Sequence, residues 1–171
     1  MTDNLEEIFE KTGALMKGHF RLTSGLHSPM YWEKFRILQF PVYTEQLCRQ
    51  IATHFQGQGV QVVAGPTTGG IILAFEVARQ LGVQSIFAEK EGQERAFRRD
   101  FTISPGERVL IVDDVLTTGK SIREVMAAVN KIEGNIIGIG VLVDRSEQSL
   151  DFGVPLFSCH RAATQTYSPD N

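Results

Sequence analysis

Short runs of apolar residues alternate along this chain with longer segments in which apolar residues recur at helical spacing. The apolar runs cover residues 60–64, 85–88, 109–112 and 136–143. The helical segments cover residues 43–55 and 71–81 and a stretch that begins after residue 119. Strands that are buried on both faces have continuous apolar sequences, and helices join them into parallel sheets. The pattern therefore predicts an α/β fold with a central, mostly parallel sheet flanked by helices.

The N-terminal 37 residues do not follow this alternation. Asp3 or Asn4 can cap a helix that carries apolar residues, Leu15 among them, on one face and ends near Gly18. Residues 18–37 combine aromatic side chains with turn signals. This segment predicts an N-terminal flap rather than a core strand.

A polar insertion, residues 89–104, separates the second and third apolar runs. Within it, residues 96–103 have the pattern of a hairpin. Insertions of this length in compact domains often cover an active site. We therefore expect residues 89–104 to form a mobile loop above a ligand site.

Composition and charge narrow the classes of protein that fit. The 171 residues are 42% hydrophobic and no linker divides them, which predicts a single domain over residues 1–171. The net charge of -3 does not favour nucleic-acid binding, which usually needs a basic excess. No signal-peptide pattern is present, and no apolar run approaches the ~20 residues of a membrane span, so no membrane partner is expected. Cys48 and Cys159 are far apart in the sequence, which favours a reducing compartment, the cytoplasm.

Two adjacent acids, Asp113 and Asp114, directly follow the apolar run at residues 109–112. Adjacent carboxylates repel, and placing them at a strand end is costly unless hydroxyl groups or a cation satisfy them. A Thr/Gly/Ser turn at residues 117–121 then leads into a helix, where backbone N–H groups can hold a phosphate. Ligands bind at the carboxyl ends of strands in such sheets. The motif therefore predicts a ligand with both hydroxyls and a phosphate, such as a ribose 5-phosphate.

Two glycine-containing loops bear on this interpretation. The triplet Gly119-Lys120-Ser121 resembles the end of a P-loop, but Asp114 stands where the P-loop needs its first glycine. A nucleoside-triphosphate site is therefore not expected. Residues 65–70, Gly-Pro-Thr-Thr-Gly-Gly, also lie between a strand and a helix. Taken alone they are either a tight turn or a second anion cradle, and beside the first loop they favour a substrate with two separated phosphate groups.

The basic residues outside these loops each allow two interpretations. The insertion carries four basic and four acidic residues: Lys90, Arg95, Arg98 and Arg99 with Glu89, Glu91, Glu94 and Asp100. They either neutralise a leaving pyrophosphate or form a solvated loop of mixed charge. Arg145 follows the last long strand, where it either pairs with a ligand carboxylate by two hydrogen bonds or lies on the surface.

Residues 112–119, Val-Asp-Asp-Val-Leu-Thr-Thr-Gly, resemble the phosphoribosyl-pyrophosphate signature of the type I phosphoribosyltransferases. Residues 18–31, 88–99 and 144–146 resemble the orotate phosphoribosyltransferase family in order and spacing. The resemblance implies magnesium-dependent transfer of ribose 5-phosphate from phosphoribosyl pyrophosphate to orotate. The implied products are orotidine 5′-monophosphate and pyrophosphate, in pyrimidine biosynthesis.

The same resemblance implies a role for individual residues. Those expected to bind phosphoribosyl pyrophosphate are Thr67, Thr68, Lys90, Asp113, Asp114, Val115, Leu116, Thr117, Thr118, Gly119, Lys120 and Ser121. Lys90 and Asp114 are the expected catalytic residues, and those expected to contact orotate are Tyr31, Trp32, Thr117 and Arg145. Magnesium would arrive on the substrate rather than in a protein cage. The resemblance also implies a homodimer whose mobile loop acts across the interface.

Two alternatives remain at this stage. A phosphoribosyltransferase for a purine or another base would share both anion loops. Arg145 distinguishes an orotate enzyme from a purine enzyme, because purines lack the carboxylate of orotate. A non-catalytic regulator would keep the phosphoribosyl-pyrophosphate site without turnover.

Overall fold

A computed structural model describes residues 5–21, 27–33 and 35–162 of the protein. Its helices are α1 (Leu5–Lys11), α2 (Phe35–Leu38), α3 (Pro41–Phe55), α4 (Gly69–Leu81) and α5 (Lys120–Lys131). Its strands are β1 (Leu15–Arg21), β2 (His27–Trp32), β3 (Val62–Pro66), β4 (Gln84–Glu91), β5 (Glu94–Phe97), β6 (Arg108–Leu116), β7 (Asn135–Asp144) and β8 (Leu156–Arg161).

Six of these strands form one sheet in the order β5-β4-β3-β6-β7-β8. Neighbouring strands are parallel throughout, except that β4 and β5 form an antiparallel hairpin. The strands β1 and β2 form a separate antiparallel pair, which is the N-terminal flap. The predicted α/β class with a mostly parallel central sheet is confirmed.

The sheet is buried on both faces, as alternate residues of β6 show. Leu110 and Val112 pack into a cluster with side chains of α3 and α4, whereas Val109 and Ile111 pack into a second cluster with side chains of α5. All four side chains are fully buried. Burial on two faces is the reason that these strands are continuous apolar runs in the sequence.

The first helix is shorter than the sequence pattern predicts. It ends at Lys11, because Gly13 adopts a left-handed backbone conformation with a φ of 66° that closes the helix. Leu15 was predicted on the apolar face of this helix, but it is the first residue of β1. The predicted end near Gly18 is therefore wrong, and the predicted cap at residues 3 and 4 lies outside the described residues.

The polar insertion forms an earlier hairpin than predicted. Lys90 of β4 pairs with Arg95 of β5, and Gly92 turns the chain between them with a φ of 61°. The predicted hairpin at residues 96–103 is wrong, because the glycine that supplies the left-handed turn lies before that range.

Two strand features were also missed, one in the middle of the sheet and one at its edge. The strand β6 continues to Leu116, four residues beyond the apolar run that predicts it. The edge strand β8 was not predicted, because its sequence Leu-Phe-Ser-Cys-His-Arg is short, half polar and only partly buried. Tertiary pairing with β7 is what makes it a strand.

Two glycines of β7 allow α3 to lie close to the sheet. Gly138 and Gly140 are two residues apart and so face the same side of the strand. A Cβ atom on Gly140 would lie 2.5 Å from Cγ2 of Ile51, and one on Gly138 would overlap the ring of Phe55. Ile51 and Phe55 are one turn apart on α3 and fully buried. The glycines therefore set the distance between this helix and the sheet.

We predict that Gly140→Ala lowers the free energy of unfolding by about 1–3 kcal/mol, because the added methyl group overpacks the contact with Ile51. The variant Ile51→Ala removes the obstructing methyl group, so the double variant should lose less stability than the sum of the two single changes. Urea denaturation of the three variants measures this coupling. Strictly additive losses would contradict the packing explanation.

Candidate active site

The two adjacent acids lie within β6, near its carboxyl end, and both are buried. Oδ1 of Asp113 accepts a hydrogen bond from the N–H of Asp114 at 2.8 Å, and Oδ1 of Asp114 accepts one from the N–H of Val115 at 2.7 Å. Each carboxylate is thus fixed by the backbone of the next residue. Because backbone N–H groups stabilise the charged form of a carboxylate, the chain itself helps to hold two acids side by side.

The loop after β6 has the form predicted for a phosphate cradle. Thr117 and Thr118 are exposed, and Gly119 precedes α5 with a left-handed φ of 78°. A Cβ atom on Gly119 would lie 2.9 Å from the ring of Phe152. Backbone conformation and packing therefore both require glycine at this position. Lys120 and Ser121 form the first turn of α5, where backbone N–H groups are available to an anion.

The second glycine loop lies directly against the acid pair. It joins β3 to α4, and the peptide bond between Thr67 and Thr68 is cis, which the sequence does not signal. A Cβ atom on Gly69 would overlap Oδ2 of Asp114. The structure therefore brings the two predicted anion loops together at one edge of the sheet.

Arg145 lies beside the phosphate cradle, just after β7. Its N–H donates to the carbonyl oxygen of Leu116 at 2.8 Å, so the backbone after β7 is tied to the end of β6. The side chain lines a pocket of about 400 Å³ together with Thr117, Thr118, Ser146, Glu147, Gln148 and Leu150. The hydrogen bond between Arg145 and Leu116 therefore joins a candidate base pocket to the predicted sugar-phosphate loop.

The guanidinium of Arg145 has a buried hydrogen-bond donor with no acceptor among the described residues. Among the described residues, its Nε is the one buried side-chain nitrogen or oxygen that has no hydrogen-bond partner. Burial lowers the pKa of Arg145, and the electrostatic effect of Tyr31 opposes that shift. A ligand carboxylate in the pocket would satisfy this donor and balance the desolvated charge.

Asp144 fixes the turn that carries Arg145, a role that the sequence did not reveal. Its Oδ1 accepts hydrogen bonds from the N–H and the hydroxyl of Ser146 at 2.9 and 2.6 Å. Its Oδ2 accepts one from Nη1 of Arg161 at 2.7 Å. Arg161 belongs to β8, so the edge strand helps to hold the turn in place.

The flap presents Tyr31 near this pocket. Tyr31 is 38% exposed, and its ring centre lies 5.6 Å from that of Phe20 on the paired strand. Tyr31 raises the pKa of Arg145 electrostatically, against the larger effect of burial. The backbone of Trp32 belongs to β2, but its side chain lies outside what the structure describes.

Lys90 lies on β4 and does not point freely into solvent. Its Nζ contacts both carboxylate oxygens of Glu124 at 3.0 Å. The same carboxylate accepts a hydrogen bond from Nε of Arg95 at 3.1 Å. Nη1 of Arg95 in turn donates to Oγ1 of Thr67 at 3.0 Å. Lys90 is thus connected to the second anion loop through Glu124 and Arg95. The sequence did not point to Glu124, and it offered Arg95 only as one of four basic residues of the insertion with two interpretations.

Four of the remaining charged residues of the insertion pair with one another. Arg99 makes two hydrogen bonds to Glu89 at 3.0 and 2.9 Å, and Arg98 is bonded to Glu91. The hydrogen bonds from Arg99 lower the pKa of Glu89 against the smaller effect of burial. For these two arginines the interpretation as a solvated loop of mixed charge fits the structure.

Comparison with known proteins identifies this arrangement. A model of the phosphoribosyl transferase domain matches residues 43–152. The chain is 52% identical to orotate phosphoribosyltransferase of Pelotomaculum thermopropionicum over 99% of this chain and 89% of that protein. It is 48% identical to orotate phosphoribosyltransferase of Desulforamulus reducens over 99% and 88%. The chain belongs to the orotate phosphoribosyltransferase family.

Solved structures agree with this placement in the orotate phosphoribosyltransferase family. The crystal structure of orotate phosphoribosyltransferase from Aeropyrum pernix matches with a TM-score of 0.77 at 28% identity, over 92% of this chain and 93% of that one. Adenine phosphoribosyltransferase from Thermoanaerobacter pseudethanolicus matches with a TM-score of 0.73 at 22% identity, over 93% and 100%. The second likeness concerns the fold alone, so the fold does not distinguish the bases.

Two further observations concern metal and membrane. Within the described ranges, no three side chains of His, Cys, Asp or Glu come together as metal ligands. The carboxylates of Asp113 and Asp114 are nevertheless hard oxygen groups that suit Mg²⁺ and its hydration water. No helix in the described part of the chain is long and apolar enough to cross a membrane.

We predict that Glu124 makes the free energy of unfolding of this protein depend on pH in the acid range. Burial raises the pKa of Glu124, but the hydrogen bonds and charges of Lys90 and Arg95 outweigh burial and lower it. A lowered pKa contributes stability that is present above the ordinary value and lost as pH falls through the folded value. Glu124→Gln should therefore be less stable than the wild type at neutral pH.

The difference in the free energy of unfolding between Glu124→Gln and the wild type should disappear as the pH falls from about 5 to about 3. Urea denaturation over this range measures the difference, with Glu133→Gln, a change at an exposed glutamate, as the control. A difference between Glu124→Gln and the wild type that does not change with pH would contradict the electrostatic explanation.

Proposed function

We propose that this chain transfers the 5-phosphoribosyl group from phosphoribosyl pyrophosphate to orotate, giving orotidine 5′-monophosphate and pyrophosphate. The observation that carries the proposal is the buried, unpartnered Nε of Arg145 in a pocket next to the phosphate cradle. Orotate carries a carboxylate, and an arginine presents paired donors to such a group. The membership of the family supports the same reaction in pyrimidine biosynthesis.

We assign the sugar-phosphate end of the donor to β6 and the loop that follows it. Asp113 and Asp114 accept hydrogen bonds from the ribose hydroxyls, and the backbone N–H groups of Asp114 and Val115 keep the two carboxylates in place. The loop from Thr117 to Ser121 holds the 5-phosphate, because its hydroxyls and N–H groups are donors at the start of a helix. Thr67 and Thr68 face the pyrophosphate end of the donor.

The reaction exchanges one bond at C1 of the ribose for another. The bond from C1 to a pyrophosphate oxygen breaks with its electron pair, and a ring nitrogen of orotate forms the new bond to C1. The N–H bond of that nitrogen also breaks, and its proton passes to an oxygen of the leaving pyrophosphate. Positive charge develops on the sugar and negative charge on the leaving group. The contribution of the protein is to position the two reactants and to place donors and cations near the leaving oxygens. No protein nucleophile is required.

We propose that Mg²⁺ enters with phosphoribosyl pyrophosphate and is held mainly by substrate oxygens and water. Bound there, it neutralises charge on the pyrophosphate. Asp113 and Asp114 would hold it through hydroxyl groups of the substrate or through water. We also place the reaction in the cytoplasm, where the free thiols of Cys48 and Cys159 remain reduced.

The reaction is tested by the loss of orotate absorbance when protein, Mg²⁺ and phosphoribosyl pyrophosphate are mixed. Adenine, guanine, hypoxanthine and uracil are run beside orotate. Turnover of a purine with no turnover of orotate would assign the chain to another base. Binding of phosphoribosyl pyrophosphate without turnover of any base would make the protein a regulator.

We predict that Arg145→Ala raises the KM for orotate about 10- to 100-fold, because a charge-assisted hydrogen bond to the carboxylate is lost. The KM for phosphoribosyl pyrophosphate should change little, since the phosphate cradle remains intact. Steady-state kinetics with each substrate varied in turn measures the two constants. Arg49→Ala, at an exposed position of α3, is the control. Equal losses for both substrates would show that Arg145 has a structural role.

We propose further that two copies of the chain form a homodimer in which the hairpin of β4 and β5 covers the partner's site. Lys90 then contacts the pyrophosphate of a donor substrate whose ribose is bound by the partner's Asp114. This lysine is half exposed and pairs with Glu124 in its own chain, so it can exchange that carboxylate for an anion brought by the partner. Closure of residues 89–104 would exclude water and limit hydrolysis of the donor.

Mixed dimers test whether the lysine acts across the interface. Lys90→Ala and Asp114→Asn should each be nearly inactive as homodimers. Coexpression of the two variants should restore up to about a quarter of the wild-type activity, because half of the dimers contain one site with both native residues. No recovery in purified mixed dimers would place Lys90 and Asp114 of one chain in the same site.

A further inference from the structure

Arg95 stands apart from the other basic residues of the hairpin. Its side chain is only 7% exposed, whereas those of Lys90, Arg98 and Arg99 are at least half exposed. It donates to three acceptors on different parts of the fold: Glu124 of α5, the carbonyl oxygen of Ala88 on β4, and the hydroxyl of Thr67. Arg95 is therefore bonded to three parts of the fold rather than solvated like the other cations of the insertion.

The hydrogen bond to Thr67 has a direction. A guanidinium has donors and no acceptor, so Oγ1 of Thr67 must accept in this contact at 3.0 Å. A threonine hydroxyl has one hydrogen, which is then left to donate to another group. The N–H of Thr67 is already engaged, because it donates to the carbonyl oxygen of Ala88 at 3.0 Å. The hydroxyl hydrogen is thus the donor that Thr67 retains for an anion.

Glu124 keeps Arg95 in this position. Its Oε2 accepts from Nε of Arg95 at 3.1 Å, and its side chain is only 12% exposed. Buried ion pairs hold their geometry when the remaining donors and acceptors are satisfied. Lys90 contributes a second cation to the same carboxylate. The network therefore runs from α5 through Glu124 and Arg95 to the loop after β3.

We propose that Arg95 is a positioning residue that orients the hydroxyl of Thr67 to donate to the pyrophosphate end of the donor substrate, with Glu124 as its anchor. The inference rests on the proposed function, because it assigns Thr67 to pyrophosphate. This positioning role explains why Arg95 is buried, unlike the other arginines of the insertion. Arg95 acts through Thr67, since its own donors are directed at protein groups.

A double-mutant cycle between Arg95→Lys and Thr67→Val tests this inference. Affinity for inorganic pyrophosphate with Mg²⁺ and affinity for orotidine 5′-monophosphate are measured by calorimetry for each protein. Each single variant should bind pyrophosphate about 10-fold more weakly, because one charge-assisted hydrogen bond is lost or misdirected. The double variant should be no weaker than the weaker single variant, since both changes remove the same donor.

Orotidine 5′-monophosphate serves as the internal control, because it occupies the phosphate cradle and the base pocket without pyrophosphate. Its affinity should stay within about twofold of the wild type in all variants. Equal losses for both ligands would show general damage to the site and overturn the proposal. Losses that multiply in the double variant, to about 100-fold, would mean that Arg95 and Thr67 act independently and would also overturn it.

Conservative variants keep the test decisive if Arg95→Lys does not fold. Thr67→Ser retains the hydroxyl and should bind pyrophosphate as the wild type does, whereas Thr67→Val should not. Glu124→Gln retains an acceptor for Arg95 but loses the charge, so its loss should be smaller than that of Thr67→Val. Wild-type affinity in Thr67→Val would overturn the inference. Failure of the wild type to consume orotate while it binds pyrophosphate would refute the proposed function and leave this inference standing.

Discussion

Two neighbouring carboxylates buried within the central strand are the constraint on which the rest of this site depends. Ionised acids in a protein interior are costly unless hydrogen bonds and nearby groups stabilise their charge. Asp113 and Asp114 each accept a hydrogen bond from the backbone of the following residue. The adjacent loop must also leave room for Oδ2 of Asp114, which is why a residue without a side chain stands at Gly69. The chemistry of Asp114 thus dictates which residue can stand at position 69, 45 positions earlier in the chain.

The proposed subsites for sugar, phosphate and base share one framework. Leu116, at the end of β6, accepts a hydrogen bond from Arg145, and Leu116 pairs in register with Asp144 of β7. Asp144 then holds Ser146 and is itself held by Arg161 of the edge strand. A displacement of the end of β6 would therefore move the phosphate cradle and the base pocket together. This coupling suits a reaction in which two substrates must meet at one carbon atom.

The sequence predicts the features that depend on local pattern. The apolar runs predict the sheet because its strands are buried on both faces, and the acids and the glycine loops predict the sugar-phosphate site because each is a short continuous motif. The missed features depend on distant partners. Arg95 and Glu124 are 29 positions apart, and the residues around each look like ordinary mixed-charge segments. The edge strand β8 and the early end of α1 likewise follow from pairing with β7 and from a single left-handed glycine.

Base specificity has to come from a few side chains, because the fold is shared with adenine phosphoribosyltransferases at 22% identity. The proposed phosphate cradle and the acid pair would bind the donor substrate in the same way whichever base receives the sugar phosphate. Arg145 differs in kind, since it carries a buried donor that no group in the described part of the chain satisfies. A purine without a carboxylate would leave that donor unpaired, and an unpaired buried group costs more than a made hydrogen bond gains. Under the proposed function, such a pocket would select orotate by penalising its competitors as well as by attracting its substrate.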